Sequence, residues 1–270
     1  MSNTDFFGLG KQFVLGMVHC LPLPGTPKFD GDMTRLIEQA VADAKTLERA
    51  GVDAVIVENM GDDPFGIELD VAQGTALAVV AALVKQAVSV PVGIDAALND
   101  YKTSISIAQA IGGDFVRLPV FVDTVDFYGC GIVAPCARAA MYYRKAIGAE
   151  NVRVFADIQV KHTHQTLPSV TIEDSARAAE ACGADGIIVT GSRIGLETPI
   201  DLIRRVKQVV GIPVIAGSGV NTTNIADQLN IADGAIVGSS LKEGGDITHP
   251  ISYDLTSALV GALGRKDRSL

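Results

Sequence analysis

Eight short apolar segments rich in valine and isoleucine recur along the chain, and they constrain its fold more than any other feature. They begin near residues 13, 54, 91, 115, 152, 186, 213 and 234. None alternates between polar and apolar residues, which is typical of parallel strands that are covered on both faces. Successive starts lie 21 to 41 residues apart, so every interval has room for a helix. We therefore predict an α/β protein built as a single (β/α)8 TIM barrel.

The intervals between the strands have the periodicity of amphipathic helices at 34–50, 71–87, 137–147, 172–182, 199–209 and 222–229. In the first helix, Leu36, Ala40 and Leu47 define an apolar face, and the pattern places Asp43 on the opposite, exposed face. A capping box is predicted where Thr171 opens the fifth helix. Glycines are predicted to end four helices, at positions 51, 148, 183 and 211.

Weak internal repeats point to the same fold. An aspartate precedes the second and sixth strands in the motifs Gly51-Val-Asp53 and Gly183-Ala-Asp185, and Asp114 and Asp233 precede the fourth and eighth. Matching strands four apart are expected in a barrel of two similar halves. An open, doubly wound sheet is the alternative, but no G-x-G-x-x-G motif follows the first strand. We expect one domain over residues 1–270, with residues 1–12 as a poorly ordered N-terminal extension.

Charge and composition exclude several classes of function. The chain has 31 acidic and 22 basic side chains, for a net charge of −9, which disfavours general binding to nucleic acid or to an anionic membrane. It has no run of 18 apolar residues and no secretory signal pattern, so we expect a cytoplasmic protein without integral membrane contact. The four cysteines lie far apart except for one C-x5-C pair, show no zinc or redox spacing, and are predicted to be free thiols.

Two glycine- and serine-rich loops predict a phosphate site. In a TIM barrel the active site lies at the carboxyl ends of the strands, and phosphate is frequently held after strands 7 and 8. The candidates are Gly217, Ser218, Gly219, Gly238 and Ser239, and Gly191 after strand 6 is added to them. Glycines let the backbone N–H groups approach an anion closely. The alternative is that these glycines only form tight turns.

Charged residues at other strand ends are the candidates for catalysis. Along strand 5, Asp157, Gln159 and Lys161 alternate, so they should share one side and converge on a ligand. His19 and Glu58 end strands 1 and 2, and with Asp157 and Lys161 they form the predicted catalytic set. A structural salt bridge at the rim is the alternative for strand 5.

The remaining polar residues at strand ends are predicted to bind substrate. They are Asn59, Asp95, Arg117, Gln159, His162 and Thr190. Asp95 could join His19 and Glu58 as an acid/base group or as a ligand of a divalent cation, although no tight metal-ligand spacing is present. Arg117 could equally pair with a carboxylate. The long loops 20–33 and 122–136 are candidate lids or partner surfaces, and the apolar helix segment 71–84 suggests a homo-oligomer.

Four motifs resemble the BtpA/SgcQ family. They are GMVHCLPLPG at 16–25, VENMGDDPF at 57–65, DIQVKH at 157–162 and VTG at 189–191, and the resemblance spans residues 13–245. It implies a TIM barrel of the ribulose-phosphate-binding type. BtpA members are described as factors for photosystem I accumulation, whereas SgcQ-type members are associated with sugar phosphotransferase operons. The chain departs from the family pattern at Asp95, where asparagine is usual.

The function expected from the residues is therefore an enzyme that acts on a small phosphorylated substrate, with a sugar phosphate as the first candidate. Isomerase, epimerase or aldolase-type lyase chemistry would suit acid/base groups beside a carbonyl. A non-catalytic assembly or regulatory factor is one alternative. An FMN-binding barrel is another, although the aromatic or arginine pattern typical of such enzymes is missing after Gly238. No organic cofactor is predicted, and a divalent cation stays open.

Overall fold

Eight parallel strands close into a barrel in the computed structural model, which describes residues 12–191 and 197–265. The strands, in chain order, are β1 (Phe13–His19), β2 (Ala54–Glu58), β3 (Val92–Asp95), β4 (Phe115–Leu118), β5 (Val125–Phe127), β6 (Gly131–Val133), β7 (Arg153–Ile158), β8 (Thr163–Gln165), β9 (Gly186–Val189), β10 (Val214–Ala216) and β11 (Gly234–Val237). All but β5, β6 and β8 belong to the barrel, and β1 pairs with both β2 and β11. The predicted TIM barrel is thereby confirmed.

The helices cover the outside of the barrel between successive strands. They are α1 (Met33–Arg49), α2 (Val71–Ala87), α3 (Tyr101–Ile111), α4 (Ala137–Ala146), α5 (Ile172–Ala181), α6 (Ile200–Lys207), α7 (Ile225–Leu229) and α8 (Tyr253–Gly261). The predicted capping box opens α5, where Thr171 and Asp174 bond reciprocally. Gly51, Gly148 and Gly183 adopt positive φ angles after their helices, as the predicted helix ends require.

One residue of α1 was placed on the wrong face. Asp43 was expected to be exposed, but its side chain lies inside the protein, 1% exposed. There its Oδ1 accepts a hydrogen bond from the Ile251 backbone N–H, and its Oδ2 lies 3.6 Å from Lys242 Nζ. The helical period had not distinguished this position, because a partner from the far end of the chain makes its burial tolerable.

Aromatic rings and glycines on neighbouring strands fill the barrel interior together. Phe13 pairs in register with Gly234, and Phe115 pairs with Gly93. A Cβ atom on either glycine would lie 2.2 Å from the neighbouring ring. The rings of Phe115 and Phe155 stack with centroids 4.6 Å apart. The lower half of the barrel is therefore a packed core, and open space begins only above it.

The repeated aspartates have one structural role at the amino ends of the strands. The Oδ2 atom of each aspartate accepts a hydrogen bond of 2.8 Å from a backbone N–H at the first or second residue of a strand. The pairs are Asp53 with Val14 of β1, Asp114 with Val92 of β3, Asp185 with Val154 of β7 and Asp233 with Val214 of β10. Each aspartate also forms an ion pair with a basic residue at a helix end or just beyond it, namely Arg265, Lys85, Arg144 and Lys207. The repeat therefore marks four equivalent quarters rather than two halves.

A small antiparallel sheet covers one side of the barrel mouth. It has the order β6-β5-β8, and none of its three strands was predicted from the sequence. Residues 122–136 had been predicted as a loop, but Val125 pairs with Val133 and with Gln165. The sheet packs on Leu98 and Val160 through an apolar cluster of its own. Because these three strands are only three residues long, their alternation was too short to be recognised.

Other predictions fall on the ends of the chain or on single residues. Of the predicted N-terminal extension, only Gln12 lies within the described residues. The four cysteines are free thiols, as predicted. No helix in the described ranges combines the length and the apolar character that crossing a membrane requires.

Candidate active site

A cavity of about 700 Å³ opens at the carboxyl ends of the barrel strands. Its floor is formed by side chains from the ends of β1 to β4, including His19, Glu58, Asp95 and Arg117. Loops that follow β10 and β11 form one wall, and the small sheet contributes Phe127 and Tyr128 to another. This volume lies in the range typical of small-molecule sites, about 300–1,000 Å³.

Arg117 organises the charges on the floor. Its Nε and Nη2 atoms donate to the two carboxylate oxygens of Asp157, both at 2.9 Å, and its Nη1 lies 3.4 Å from Asp95 Oδ2. The side chains of both aspartates are fully buried. Among the described residues, the Asp95 oxygens have no hydrogen-bond donor. Asp157 is therefore the hydrogen-bonded partner of Arg117, while Asp95 is a buried carboxyl group that, within the described ranges, makes only the longer ion pair of 3.4 Å and no hydrogen bond.

His19 and Glu58 lie side by side on β1 and β2. Their registered positions bring His19 Nε2 within 3.4 Å of Glu58 Oε2. The imidazole also lies against the loop after β11, because a Cβ atom on Gly238 would be only 2.8 Å from His19 Cε1. Glycine at this position therefore lets the acid/base groups and the predicted phosphate loop meet.

Burial shifts the protonation of these groups toward their neutral forms. Burial raises the pKa of Glu58, and burial together with the nearby Glu58 raises the pKa of Asp95 well above its usual range. Burial also lowers the pKa of His19 to about 3. The pKa of Lys161 is lowered by burial and by Arg117. Such perturbed groups in a cavity are typical of functional sites.

Lys161 is positioned without a salt bridge of its own. Its backbone N–H donates to Thr190 Oγ1 at 3.0 Å, which fixes the turn after β7. Within residues 12–191 and 197–265, no carboxylate oxygen lies within 4.0 Å of Lys161 Nζ. The amine is thus available to a ligand in the cavity.

The two glycine- and serine-rich loops face the same cavity. Gly217, Ser218 and Gly219 line it after β10, and Gly238 and Ser239 line it after β11. Close packing accounts for the glycine at position 217, since a Cβ atom there would lie 2.4 Å from Ile188 Cγ2. Gly219 has a φ of +66°, which favours glycine. The loops therefore combine tight packing with backbone that is open to the cavity.

The comparison with protein families matches this chain over residues 10–265 to the model described as the BtpA family. The chain belongs to the BtpA family. An uncharacterized protein of Pyrococcus furiosus is 42% identical over 262 residues, which cover 96% of this chain and 97% of the relative. The photosystem I biogenesis protein BtpA of Synechocystis is 33% identical, covering 93% of this chain and 87% of the relative. An uncharacterized mitochondrial protein of Caenorhabditis elegans is 35% identical over 87% of each chain.

Solved structures confirm that this BtpA-family chain has a TIM-barrel fold. Thiamine phosphate pyrophosphorylase from Pyrococcus furiosus superposes with a TM-score of 0.59 at 15% identity, over 94% of this chain and 95% of that chain. A tryptophan synthase chain from Mycobacterium tuberculosis gives a TM-score of 0.63 at 16% identity, over 97% and 96%. At such low identity, the likeness concerns the fold alone.

The cavity brings together most of the residues predicted from the BtpA-like motifs and strand ends. It is lined by His19, Glu58, Asp95, Arg117, Lys161, His162, Gly217, Ser218, Gly219, Gly238 and Ser239. Asp157 lies directly beneath, bound to Arg117. Whether these groups act in catalysis or phosphate binding stays a prediction.

Four predicted residues point elsewhere. Gln159 was expected on the same side as Asp157, but its φ of +44° breaks the alternation, and its side chain donates to the Val170 carbonyl. Asn59 bonds Asp62 and both backbone groups of Ala97, which ties two loops together. Thr190 holds the Lys161 backbone, and the Gly191 N–H donates to Ser218 Oγ at 2.8 Å. The expectation that Gln159 shares a side with Asp157 is therefore wrong. The residues that line the cavity do not include Asn59, Gln159, Thr190 or Gly191, so the geometry does not support their predicted roles in binding.

The geometry gives no support to a metal site. Within the described parts of the chain, no group of three or more His, Cys, Asp or Glu side chains is arranged to hold a metal ion. His19 and Glu58 are adjacent, but Asp95 is directed to Arg117. The cation considered for His19, Glu58 and Asp95 therefore lacks a suitable set of ligands.

Sequence reasoning missed the polar residues that support the mouth. Asp62 receives hydrogen bonds from the Leu23 N–H and from the side chains of Asn59 and Gln73, and so anchors the loop after β1. Lys242, fully buried beneath the loop after β11, donates to the His249 carbonyl at 2.6 Å. For Asp62, the available signal was its place in the VENMGDDPF motif at residues 57–65.

Proposed function

We propose that this BtpA-family chain is an enzyme that acts on a small phosphorylated substrate. The observation that carries the proposal is that a single cavity joins two glycine- and serine-rich loops to a buried cluster of acid/base groups. Burying charged or polar groups without partners is costly, so a cluster that faces an open cavity favours a chemical role over a structural one.

The phosphate would lie against the loops after β10 and β11. Gly217, Gly219 and Gly238 keep this wall free of side chains, and Ser239 adds a hydroxyl group to it. Backbone N–H groups in such turns bind anions without any need for a positively charged surface. This matters in a chain whose net charge is −9.

The remainder of the substrate would lie over the charged floor. The raised pKa of Glu58 favours its protonated form, so this carboxyl group can donate a proton, and the lowered pKa of Lys161 allows its amine to act as a base or as a nucleophile toward a carbonyl. Arg117, held by Asp157, would stabilise an oxyanion. Isomerisation, epimerisation or aldol-type cleavage next to a carbonyl all fit these roles.

A thermal-shift screen tests the proposal with sugars and their phosphates as matched pairs, each with and without EDTA. A ligand present at a hundred times its Kd should stabilise the protein by about 2.7 kcal/mol. We expect stabilisation by a phosphorylated compound but not by its unphosphorylated partner.

The variant Ser239→Asp should abolish this shift, because it places a negative charge at the phosphate loop. Ser169→Asp is the matched control, since Ser169 is exposed and lies outside the cavity. If no phosphorylated compound stabilises the protein, or if both variants behave alike, the phosphate assignment is wrong.

An assembly factor is the second candidate function, because the Synechocystis relative is named a photosystem I biogenesis protein. Relatives of similar identity in a nematode and in Pyrococcus furiosus show that the shared sequence is not confined to photosynthetic organisms. Stable co-purification of tagged protein with a membrane complex, with no ligand found in the screen, would favour this candidate.

A further inference from the structure

The cavity has two chemically different sides. The barrel order β1-β11-β10-β9-β7-β4-β3-β2 places β3 and β4 four positions from β10 and β11, so the two pairs of strands lie across the mouth from one another. Glycines and serines line the side of β10 and β11. The opposite side carries, above Asp95 and Arg117, six apolar residues: Phe65, Ala97, Leu98, Pro119, Phe127 and Val160.

Packing and a hydrogen bond hold the residues of the apolar side in place. Leu98 and Val160 belong to one buried cluster with the valines of the small sheet, and Phe127 packs against that cluster. The hairpin that carries Phe127 is tied to the loop after β2, since Cys130 Sγ lies 3.2 Å from the Phe65 carbonyl oxygen. Two rings, those of Phe65 and Phe127, are thereby held at the mouth, and Tyr128, 94% exposed, stands beside them.

We propose that the substrate is a phosphate ester whose other end is an apolar or aromatic ring, and that this ring lies against Leu98, Phe127 and Val160. The phosphate end of this assignment rests on the proposed function. A small phosphorylated sugar alone would leave the apolar side in contact with water, and a cavity of about 700 Å³ has room for a larger body. Burial of a ring there would favour binding through the area removed from water.

Isothermal titration of the 270-residue chain with benzyl phosphate, glycerol 3-phosphate and benzyl alcohol tests the proposal. We expect benzyl phosphate to bind at least tenfold more tightly than glycerol 3-phosphate, which corresponds to about 1.4 kcal/mol. Phe127→Ala should remove most of this preference and leave the affinity for glycerol 3-phosphate unchanged. Tyr128→Ala should also reduce the preference, and its 94% exposure means that the substitution leaves the core intact. Tyr142→Ala, on the outer face of α4, is the control and should not change the preference.

The outcomes separate the two proposals. Equal affinities for benzyl phosphate and glycerol 3-phosphate would overturn the apolar end and leave the phosphate site standing. Binding of benzyl alcohol as tight as that of benzyl phosphate would overturn the phosphate site. A Tyr142→Ala variant that loses as much preference as Phe127→Ala would show that the effect does not arise at this surface, which would also overturn the inference.

Discussion

Replacing Asp95 with asparagine should stabilise the protein, although the residue is buried in the candidate active site. Asp95 and Asp157 make a natural pair for this test, because both side chains are fully buried and both face Arg117. Asp157 makes two hydrogen bonds of 2.9 Å to that guanidinium, whereas Asp95 lies 3.4 Å away without a hydrogen-bond donor among the described residues. The two substitutions are isosteric, so they change charge and hydrogen bonding but not packing.

The expected effects have opposite signs. At pH 7 the aspartate of the unfolded chain is ionised, and burying it costs about 1.4 kcal/mol for each unit by which folding raises its pKa. Because asparagine does not ionise, Asp95→Asn removes this cost and should raise the free energy of unfolding at pH 7. Removing one partner of a buried ion pair costs about 3–5 kcal/mol. Asp157→Asn should lower the free energy of unfolding by about 3 kcal/mol, since the asparagine still offers one acceptor to Arg117.

The pH dependence follows from the raised pKa of Asp95. The Asp95 carboxyl group of the folded protein keeps its proton to a higher pH than in the unfolded chain, where aspartates have a pKa of about 3.9. Above that value, rising pH therefore destabilises the fold until the folded pKa is passed. The gain from Asp95→Asn should be absent near pH 3.5 and should grow as the pH rises above 4.

Urea unfolding followed by circular dichroism, at several pH values from 3.5 to 8, measures both variants against the wild type. The Tm should change in the same directions, by about 2–4 °C for each kcal/mol. If Asp95→Asn destabilises the protein at pH 7 as much as Asp157→Asn does, then Asp95 is an ionised structural partner of Arg117. The assignment of a buried, protonated carboxyl group to the active site would then be wrong.

Three further predictions address other buried groups. Because the pKa of Lys161 is lowered, cyanate should begin to label this lysine at a lower pH than it labels the exposed lysines, as measured by mass spectrometry. If Lys161 and the exposed lysines were labelled with the same pH profile, the prediction would be wrong. Burial lowers the pKa of His19 to about 3, so its imidazole NMR signals should not titrate between pH 5 and 8. The histidine of the unfolded chain takes up a proton below about pH 6.5, so the free energy of unfolding should decrease as the pH falls below that value. Lys242→Met should lower the free energy of unfolding by about 3–5 kcal/mol in urea titrations, because it leaves Asp43 buried and unpaired. The double variant with Asp43→Asn should recover most of that loss, and a failure to do so would show that the pair does not account for it.

The site residues that could be predicted from the sequence are those at the ends of the barrel strands. In a parallel barrel every strand delivers its last polar residue to the same rim, so His19, Glu58, Asp95 and Arg117 could be grouped without knowing any distance. The prediction was wrong where the chain leaves the strand. The positive φ of Gln159 turns its side chain away from the cavity, and Asn59 is used by Asp62 and Ala97 instead of by a ligand.

The sequence by itself determined the fold, because eight apolar segments separated by helix-sized intervals admit one simple closed arrangement. The sequence also shows the barrel's internal repeat, an aspartate before every even-numbered barrel strand. In the structure, each of these aspartates accepts a hydrogen bond from the start of the preceding odd-numbered barrel strand. Only the tertiary structure decided which charges meet. Asp53 forms an ion pair with Arg265, and Asp43 forms one with Lys242, and the partners are about two hundred residues apart in the chain. Local patterns specify the direction of a side chain within its own element, whereas partners so distant along the chain are set by closure of the barrel.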